Sequence, residues 1–275
     1  MSLGGALDRV LVSCLMPALP AATRLEAFRR SVADYCRQSH PHRELVVVLD
    51  RGDPAAREAM LAHLASLRRD DLRVVEPAAK LTLGALRNVS VAESRGEVLC
   101  HWDDDDWFHP DRIRAGLAEL SRSGARALVL EDALLYFPSA RELYWTNWRA
   151  TPPKGLPSTL IVRREAAARY PEDGPESCRH EDTAAIRQLQ AQGGFRTMAG
   201  AAHLYVYVSH ATNTSGAGHL VMLARELAIS RTLLARREAA LREGLRAFDF
   251  GSGDVTVRGY NGVAFTLAGT PAGGT

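Results

Sequence analysis

A chain of 275 residues, 46% hydrophobic and 24% charged, has room for one large α/β domain with an appendage, or for two modest domains, around a real apolar core. Its formal net charge of +2 argues against nucleic acid as the main partner. With no apolar run of about 18 residues and no basic-then-apolar opening segment, the sequence predicts a cytoplasmic protein, peripheral at most to the inner face of a membrane.

Met1 to Leu7 reads as a disordered leader of small residues. Arg9 to Met16 is a near-continuous apolar run, predicted as a buried first strand, and Pro17-Ala18-Leu19-Pro20 ends it. Thr23 is the expected N-cap of a helix running to Arg37. Glu44 to Leu49 is a second buried strand closing on Asp50-Arg51-Gly52. An amphipathic helix from Pro54 to Arg68 and a short strand from Leu72 to Val75 follow. A third helix, Leu83 to Arg95, delivers the chain to the strand Val98-Leu99-Cys100. This alternation predicts a mainly parallel sheet with helices on both faces, whose ligands collect at the carboxyl ends of the strands. Three strands end in candidate nucleotide-binding residues: Pro17, Asp50 and Asp103.

The last of these strands runs into four consecutive carboxylates, Asp103 to Asp106, held between Trp102 and Trp107. Adjacent anions fixed beside a buried strand are costly unless a cation neutralises them. In extended chain Asp103 and Asp105 share a face while Asp104 points away. Oxygen ligands of this kind suit a hard cation, Mg²⁺ or Mn²⁺, that keeps positions open for a substrate's phosphates. Taken alone, the run also reads as a solvated acidic turn capping the helix after Pro110.

Strand, then Asp-x-Asp-Asp-Trp, then Pro resembles the metal-binding motif of family 2 glycosyltransferases with the GT-A fold, and the resemblance extends over roughly residues 9 to 216. It implies that Asp103 and Asp105 face the nucleotide and the divalent ion, Mn²⁺ or Mg²⁺, with Asp105 the metal ligand and Asp106 a supporting neighbour; Asp104 is a further candidate nucleotide-binding residue. In that family the first two strands usually finish Pro-x-Tyr-Asn and Asp-Asp-Gly-Ser, loops that hold the nucleobase and ribose. Here Pro17 and Ala18 keep the first loop without its Tyr, and Asp50 keeps the carboxylate expected to accept from the imide N–H of uracil. The resemblance therefore favours a UDP-sugar. Gly84-Ala-Leu-Arg87-Asn88 resembles the family's Gly-x-x-x-Ala-Arg-Asn segment, in which Arg87 would fork to a diphosphate or steady the carboxylates.

Beyond Pro110, a helix (Arg112 to Ser121) and an apolar strand (Ala127 to Leu130) lead into an aromatic-rich stretch, Glu131 to Trp148. Antiparallel strands over the acceptor side would explain it. Trp145 and Trp148 are candidate acceptor-binding residues, although core packing is the commoner use of Trp. Pro157 to Glu165 reads as a strand running into a helix. Glu181-Asp182 opens a helix to Gln192, where the family's general base stands; Asp182 is the candidate base and Glu181 its neighbour. A carboxylate at a helix N-terminus is held ionised and oriented to take a hydroxyl proton, while acidic residues are also ordinary helix starters. Tyr205 to Val208 alternates as a strand, and the segment to Ser215 resembles the family's closing Tyr-x-x-His-x-x-Asn-Thr-Ser, which makes His210 the implied remaining metal ligand.

Leu220, Leu223, Leu227, Leu234, Leu241 and Leu245 stripe one long predicted helix, 220–246, with arginines elsewhere on it. Packing on the domain or on a second subunit is the favoured reading; a basic amphipathic helix on an anionic membrane, where lipid-linked acceptors reside, is the other. Phe248 to Leu267 looks like a small terminal hairpin and Gly269 to Thr275 a frayed tail. Cys14, Cys36, Cys100 and Cys178 form no C-x-x-C pair and read as buried free thiols.

The expected layout is a GT-A domain over 1–219 (nucleotide half 9–106, acceptor half 107–219) with a 220–275 extension. The implied reaction is metal-dependent, inverting transfer of a sugar from a nucleotide-sugar donor to a hydroxyl of a saccharide, lipid-linked or small-molecule acceptor. Two other readings share the carboxylates and the nucleotide pocket. A metal-dependent nucleotidyltransferase should carry a Gly- and basic-rich triphosphate loop, which Met16 to Arg24 lacks. A non-catalytic nucleotide-sugar-binding module on a degenerate GT-A scaffold stays open because Tyr and Asn are missing after Pro17.

Overall fold

A computed structural model describes residues 3–211, 213 and 216–269. Helix α1 (Leu3–Leu7) stands where the sequence predicts a disordered leader; Met1 and Ser2 lie outside the described residues. Strand β1 (Val12–Ala18), helix α2 (Leu25–Cys36), strand β2 (Arg43–Leu49), helix α3 (Pro54–Ser66), strand β3 (Leu72–Val75), helix α4 (Leu83–Glu93) and strand β4 (Val98–His101) follow in the predicted alternation. Asp53 and Thr82 cap α3 and α4, accepting from the N–H groups of Ala56 at 2.8 Å and Ala85 at 3.3 Å. Thr23 caps nothing: it sits inside a 3₁₀ turn, Ala22–Arg24, and α2 starts on Arg24 without a side-chain cap.

Next come β5 (Trp107–Phe108), α5 (Arg112–Ser123), β6 (Ala127–Leu130), β7 (Asp132–Phe137), β8 (Glu142–Asn147) and β9 (Leu156–Arg163). After β9 the chain makes only a 3₁₀ turn, Arg164–Ala166, in place of the expected helix. Then α6 (Glu181–Gln192) and β10 (Phe195–Met198) lead to β11 (Tyr205–Val208). The chain ends with α7 (Ala217–Leu227), α8 (Arg231–Arg236), α9 (Glu238–Leu245), β12 (Val255–Gly259) and β13 (Gly262–Leu267). Residues 270–275, most of the expected frayed tail, lie outside the described residues.

The main sheet has the order β10-β6-β9-β4-β1-β2-β3. Strands β4, β1, β2 and β3 run parallel, and β9 enters antiparallel to both β4 and β6. Period-2 alternation divides the strand residues between two apolar layers. Cys14, Met16, Leu45 and Val47 pack with Phe28 and Val32 of α2 and Ile113 and Leu117 of α5. Leu15, Val46, Val48 and Leu99 face the other way, toward Leu86 of α4 and Ile186 and Leu189 of α6. Burial on both faces explains why these strands read as continuous apolar runs.

A second sheet has the order β13-β12-β8-β7-β11-β5. The predicted antiparallel pair of the aromatic stretch is β7 with β8, and the predicted terminal hairpin is β12 with β13. Strand β12 pairs in parallel with β8, so the hairpin extends this sheet. The single long helix predicted over 220–246 is three helices. Ser230 accepts from the Leu233 N–H at 3.2 Å and starts a new helix. Before it, the Ile229 N–H donates to the Trp145 carbonyl at 2.9 Å. Leu234, Leu241 and Leu245 pack with Phe248 against the second sheet. Among the described residues, no helix is long and apolar enough to cross a membrane.

Candidate active site

A cleft of about 730 Å³ opens at the carboxyl ends of β1, β2 and β4, as parallel sheets place their ligands. Pro17, Ala18, Asp50, Arg87, Asp103, Asp104, Asp105, Trp148, Glu181 and Asp182 line it. His210 joins it through Asp105, its Nε2 lying 2.8 Å from Oδ2. Trp145 does not: it is 5% exposed and packed with Leu134 and Val206, with Arg237 over its ring at 4.8 Å.

The loops that carry Pro17 and Asp50 are locked to each other. Asp53 N–H donates to the Pro20 carbonyl at 2.9 Å, and a Cβ on Gly52 would stand 2.2 Å from the same oxygen, so only glycine fits there. Asp50 Oδ1 accepts from the Leu81 N–H at 3.2 Å, which brings the start of the α4 segment to the end of the cleft lined by Pro17 and Asp50.

Helix α4 clamps the opposite wall. A Cβ on Gly84 would lie 1.9 Å from the Pro171 carbonyl oxygen, and Gly84 N–H donates to Ser177 at 2.8 Å. Asn88 holds the same loop, donating to the Tyr170 carbonyl at 2.9 Å and accepting from the Tyr170 N–H at 3.0 Å. Arg87 donates through Nε to Glu181 at 2.9 Å and through Nη2 to Asp103 at 3.2 Å. The segment's three signature residues thus have three distinct tasks: close approach, bridging and stapling.

The four aspartates are not in extended chain. Residues 104–106 form a turn, so Asp103 and Asp105 line one cleft as expected but Asp104 lines it too and does not point away. Arg24 Nη2 bonds to Asp104 Oδ1 and lies 2.9 Å from Asp105 Oδ2, one nitrogen between two carboxylates. Asp106 turns inward, accepting from the Tyr205 hydroxyl and from the Val208 N–H at 2.9 Å, which fixes β11 and hence His210 two residues beyond it. Burial raises the Asp103 and Asp104 carboxyls above the usual range, Asp104 to about 7, because Arg87 and Arg24 offset only part of the desolvation. Burial also works on Asp105, but His210 and Arg24 outweigh it and hold that carboxyl low.

Four carboxyl groups, Asp103, Asp104, Asp105 and Glu181, face two guanidinium groups, Arg24 and Arg87. Among the described residues, no three His, Cys, Asp or Glu side chains already converge on one metal position. The donor chemistry nevertheless fits a hard divalent cation. Carboxylates and an imidazole are the ligands such ions take, and Asp104 Oδ2 is buried with no hydrogen-bond partner among the described residues.

At the other end of the cleft, α6 begins after His180, whose φ of +66° turns the chain sharply into the helix. Glu181 is 3% exposed and committed to Arg87. Asp182 stays on the cleft wall, accepting from the Thr183 N–H at 2.6 Å. Burial, then the charge of Glu181, pushes its carboxyl up to about 6.

The sequence model described as "Glycosyl transferase family 2" matches residues 13–165. The chain belongs to that family. It is a glycosyltransferase, and its architecture is the GT-A fold. No curated protein sequence matches the chain. Among solved structures, S. aureus TarS 1–349 is similar with a TM-score of 0.55 and 15% identity, over 85% of this chain and 73% of that one. The same TarS fragment in complex with UDP is similar over 86% of this chain and 72% of that one, again with a TM-score of 0.55 and 15% identity. The mannosyltransferase PcManGT from Pyrobaculum calidifontis, in complex with GDP-Man and Mn²⁺, has a TM-score of 0.54 and 16% identity, over 86% of this chain and 63% of that one.

This family 2 glycosyltransferase also has cleft residues that sequence reasoning missed. Arg24 is the chief one, and its only sequence signal is a lone cation shortly after a strand end that lines a cleft. Leu220 and Leu223 of α7 reach the cleft from beyond the region matched by the family model. Cys178 lines the cleft too and is exposed, unlike the buried thiol the sequence predicts; Cys14 and Cys100 are buried, and all four cysteines are free.

Proposed function

We propose that this protein transfers a sugar, with inversion, from a nucleotide-sugar donor to an acceptor hydroxyl. The observation that carries the reading is the Arg87 bridge, which ties Asp103 at the donor end to Glu181 and leaves Asp182 beside it on the wall of one cleft. Asp182 takes the acceptor proton, and the oxygen attacks the anomeric carbon from the face opposite the diphosphate. The anomeric bond to the diphosphate breaks as the new one forms, so one displacement inverts the centre. Asp105 and His210, with Asp103 alongside, would hold a divalent cation, Mn²⁺ or Mg²⁺. Such an ion, when bound, supplies Lewis-acid stabilisation of the departing diphosphate.

Both neighbours are described with nucleotides or nucleotide sugars, TarS with UDP and PcManGT with GDP-Man and Mn²⁺, which supports a nucleotide-sugar donor here. Asp50 on the cleft wall supports a uracil base. Trp148 supports an acceptor saccharide, and the exposed Val221 and Met222, on the helix that sends Leu220 and Leu223 into the cleft, favour a lipid-linked form of it. That reading places the enzyme in the cytoplasm at the inner membrane face. A thermal-shift screen of nucleotide sugars with and without Mn²⁺ tests it, because a ligand that binds only the folded state raises Tm. A UDP-sugar that stabilises only with Mn²⁺ is the expected hit. No stabilisation by any nucleotide sugar would sink the proposal.

A further inference from the structure

Arg24 occupies the ground where the metal reading above needs a cation. Its Nη2 bonds to Asp104 Oδ1 and stands 2.9 Å from Asp105 Oδ2, and Asp105 Oδ2 is also the atom that His210 Nε2 approaches at 2.8 Å. The guanidinium side chain is 14% exposed, and the two carboxylates are 3% and 13% exposed. These are shielded ion pairs, where charge neutralisation matters far more than at a surface. A single positive charge is shared between Asp104 and Asp105, while Asp104 Oδ2 remains buried without a partner among the described residues.

We propose that Arg24 is a resident counter-ion that keeps the acidic turn folded without metal and is displaced from Asp105 when a divalent cation binds. The proposal rests on the metal-dependent reading, since it assigns Arg24 to the same carboxylates. The geometry suits an exchange. Arg24 follows directly on the first nucleotide loop and lines the cleft, so a guanidinium released from Asp105 stays within the cavity that would receive the donor's diphosphate. Arginine is suited to either partner, because its planar fork matches carboxylate and phosphate oxygens alike. Binding of the cation thereby turns Arg24 from a ligand of the protein's own carboxylates into a cation facing the substrate.

Competition between two cations for one carboxylate has a sign that a merely structural arginine would not produce. Calorimetric titration with MnCl₂, without nucleotide, is run on the wild type and on Arg24→Gln, Arg24→Lys and Asp105→Asn. Arg24→Gln should bind Mn²⁺ at least about tenfold more tightly than the wild type, since it loses a competing charge in a shielded site. Arg24→Lys should stay near the wild type, and Asp105→Asn should lose binding. In EDTA, Arg24→Gln should melt below the wild type, and Mn²⁺ should raise its Tm by more. Equal or weaker Mn²⁺ binding by Arg24→Gln overturns the proposal and leaves the metal reading standing. No Mn²⁺ binding by any form removes both. A second measurement covers poor folding of that variant: in ¹⁵N-arginine-labelled wild type, the Arg24 side-chain resonance, assigned by its loss in Arg24→Lys, should shift on adding Mg²⁺. A resonance that stays fixed while Mg²⁺ binds overturns the exchange.

Discussion

Arg87 Nε donates to Glu181 Oε1 at 2.9 Å across 94 residues of sequence, and the same guanidinium reaches Asp103 Oδ1 at 3.2 Å. Each wall of the cleft is thus held in register with the other by one side chain. Burial alone would lower the affinity of Arg87 for its proton, yet the charges of Asp103 and Glu181 outweigh it and keep the guanidinium firmly charged. Replacing Arg87 by Ala leaves the buried Glu181 and the half-buried Asp103 without their partner, and about 3–5 kcal/mol of stability should be lost. Chemical denaturation measures this. A loss under about 1 kcal/mol would show that the bridge is not a structural link.

The division of labour at the start of α6 gives a second prediction. Asp182 lies on the cleft wall, whereas Glu181 is spent on Arg87. Asp182→Asn should reduce kcat by about 10²–10⁴ and leave nucleotide affinity nearly intact, as removal of a positioned base does. Glu181→Gln keeps a hydrogen-bond acceptor for Arg87 and should cost activity less than Asp182→Asn does. The check is transfer kinetics beside calorimetric UDP binding for both variants. The reverse order of effects would make Glu181 the base.

The pH profile follows from the same carboxylate. Asp182 is pushed up to about 6, and a base works only when ionised. Transfer at saturating donor should therefore rise with pH through about 6 and then level. Stability runs the opposite way: a folded value above the unfolded one means that this group's contribution is full below the unfolded range, near ~3.9, and is lost as pH rises through about 6. The acid limb of the rate profile should vanish from the residual activity of Asp182→Asn. A limb that persists in the variant assigns it to another group.

The metal assignment is tested at Asp105. Its carboxyl is held below the usual range: burial opposes this, but His210 and Arg24 prevail, so the side chain is a ready anionic ligand at neutral pH. Asp105→Asn should abolish the Mn²⁺-dependent part of UDP affinity, read by calorimetry with and without Mn²⁺. Undiminished metal-dependent binding would remove Asp105 from the ligand set.

Much of this was legible in residue order, for a physical reason. Strands buried on both faces are apolar along most of their length, which exposed β1, β2, β4 and β6 directly despite the buried Ser13, Glu44 and His101, and the Asp103–Asp106 run stood out as four consecutive carboxylates. Arg24 was not legible, because its role depends on the chain after β1 meeting the end of β4, 80 residues later. The break between α7 and α8 was hidden by a leucine stripe that runs on past Ser230, although Ser230 itself is a typical cap residue. The two-residue alternation that predicts Asp104 pointing away holds only in extended chain, and residues 104–106 form a turn.

Trp145 and Trp148 show the same limit, and they yield the last prediction. In sequence they are two nearby tryptophans with equal claims on an acceptor sugar. Strand β8 ends at Asn147, between them. Trp145 lies inside the strand, opposite Leu134, with its ring in the core of the second sheet. Trp148 has left the strand; its backbone N–H donates to the Glu131 carbonyl at 2.8 Å and its indole N–H to Thr146 Oγ1 at 2.9 Å, and its ring reaches the cleft. Trp145→Ala should therefore cost about 3–5 kcal/mol of stability, as expected for a large core truncation. Trp148→Ala should cost less in stability and instead raise the acceptor KM, leaving donor affinity unchanged. Denaturation curves and acceptor kinetics on both variants decide it. If Trp145→Ala is the one that weakens acceptor use in a fully folded protein, then the second sheet contributes to the acceptor site by a route other than the cleft wall.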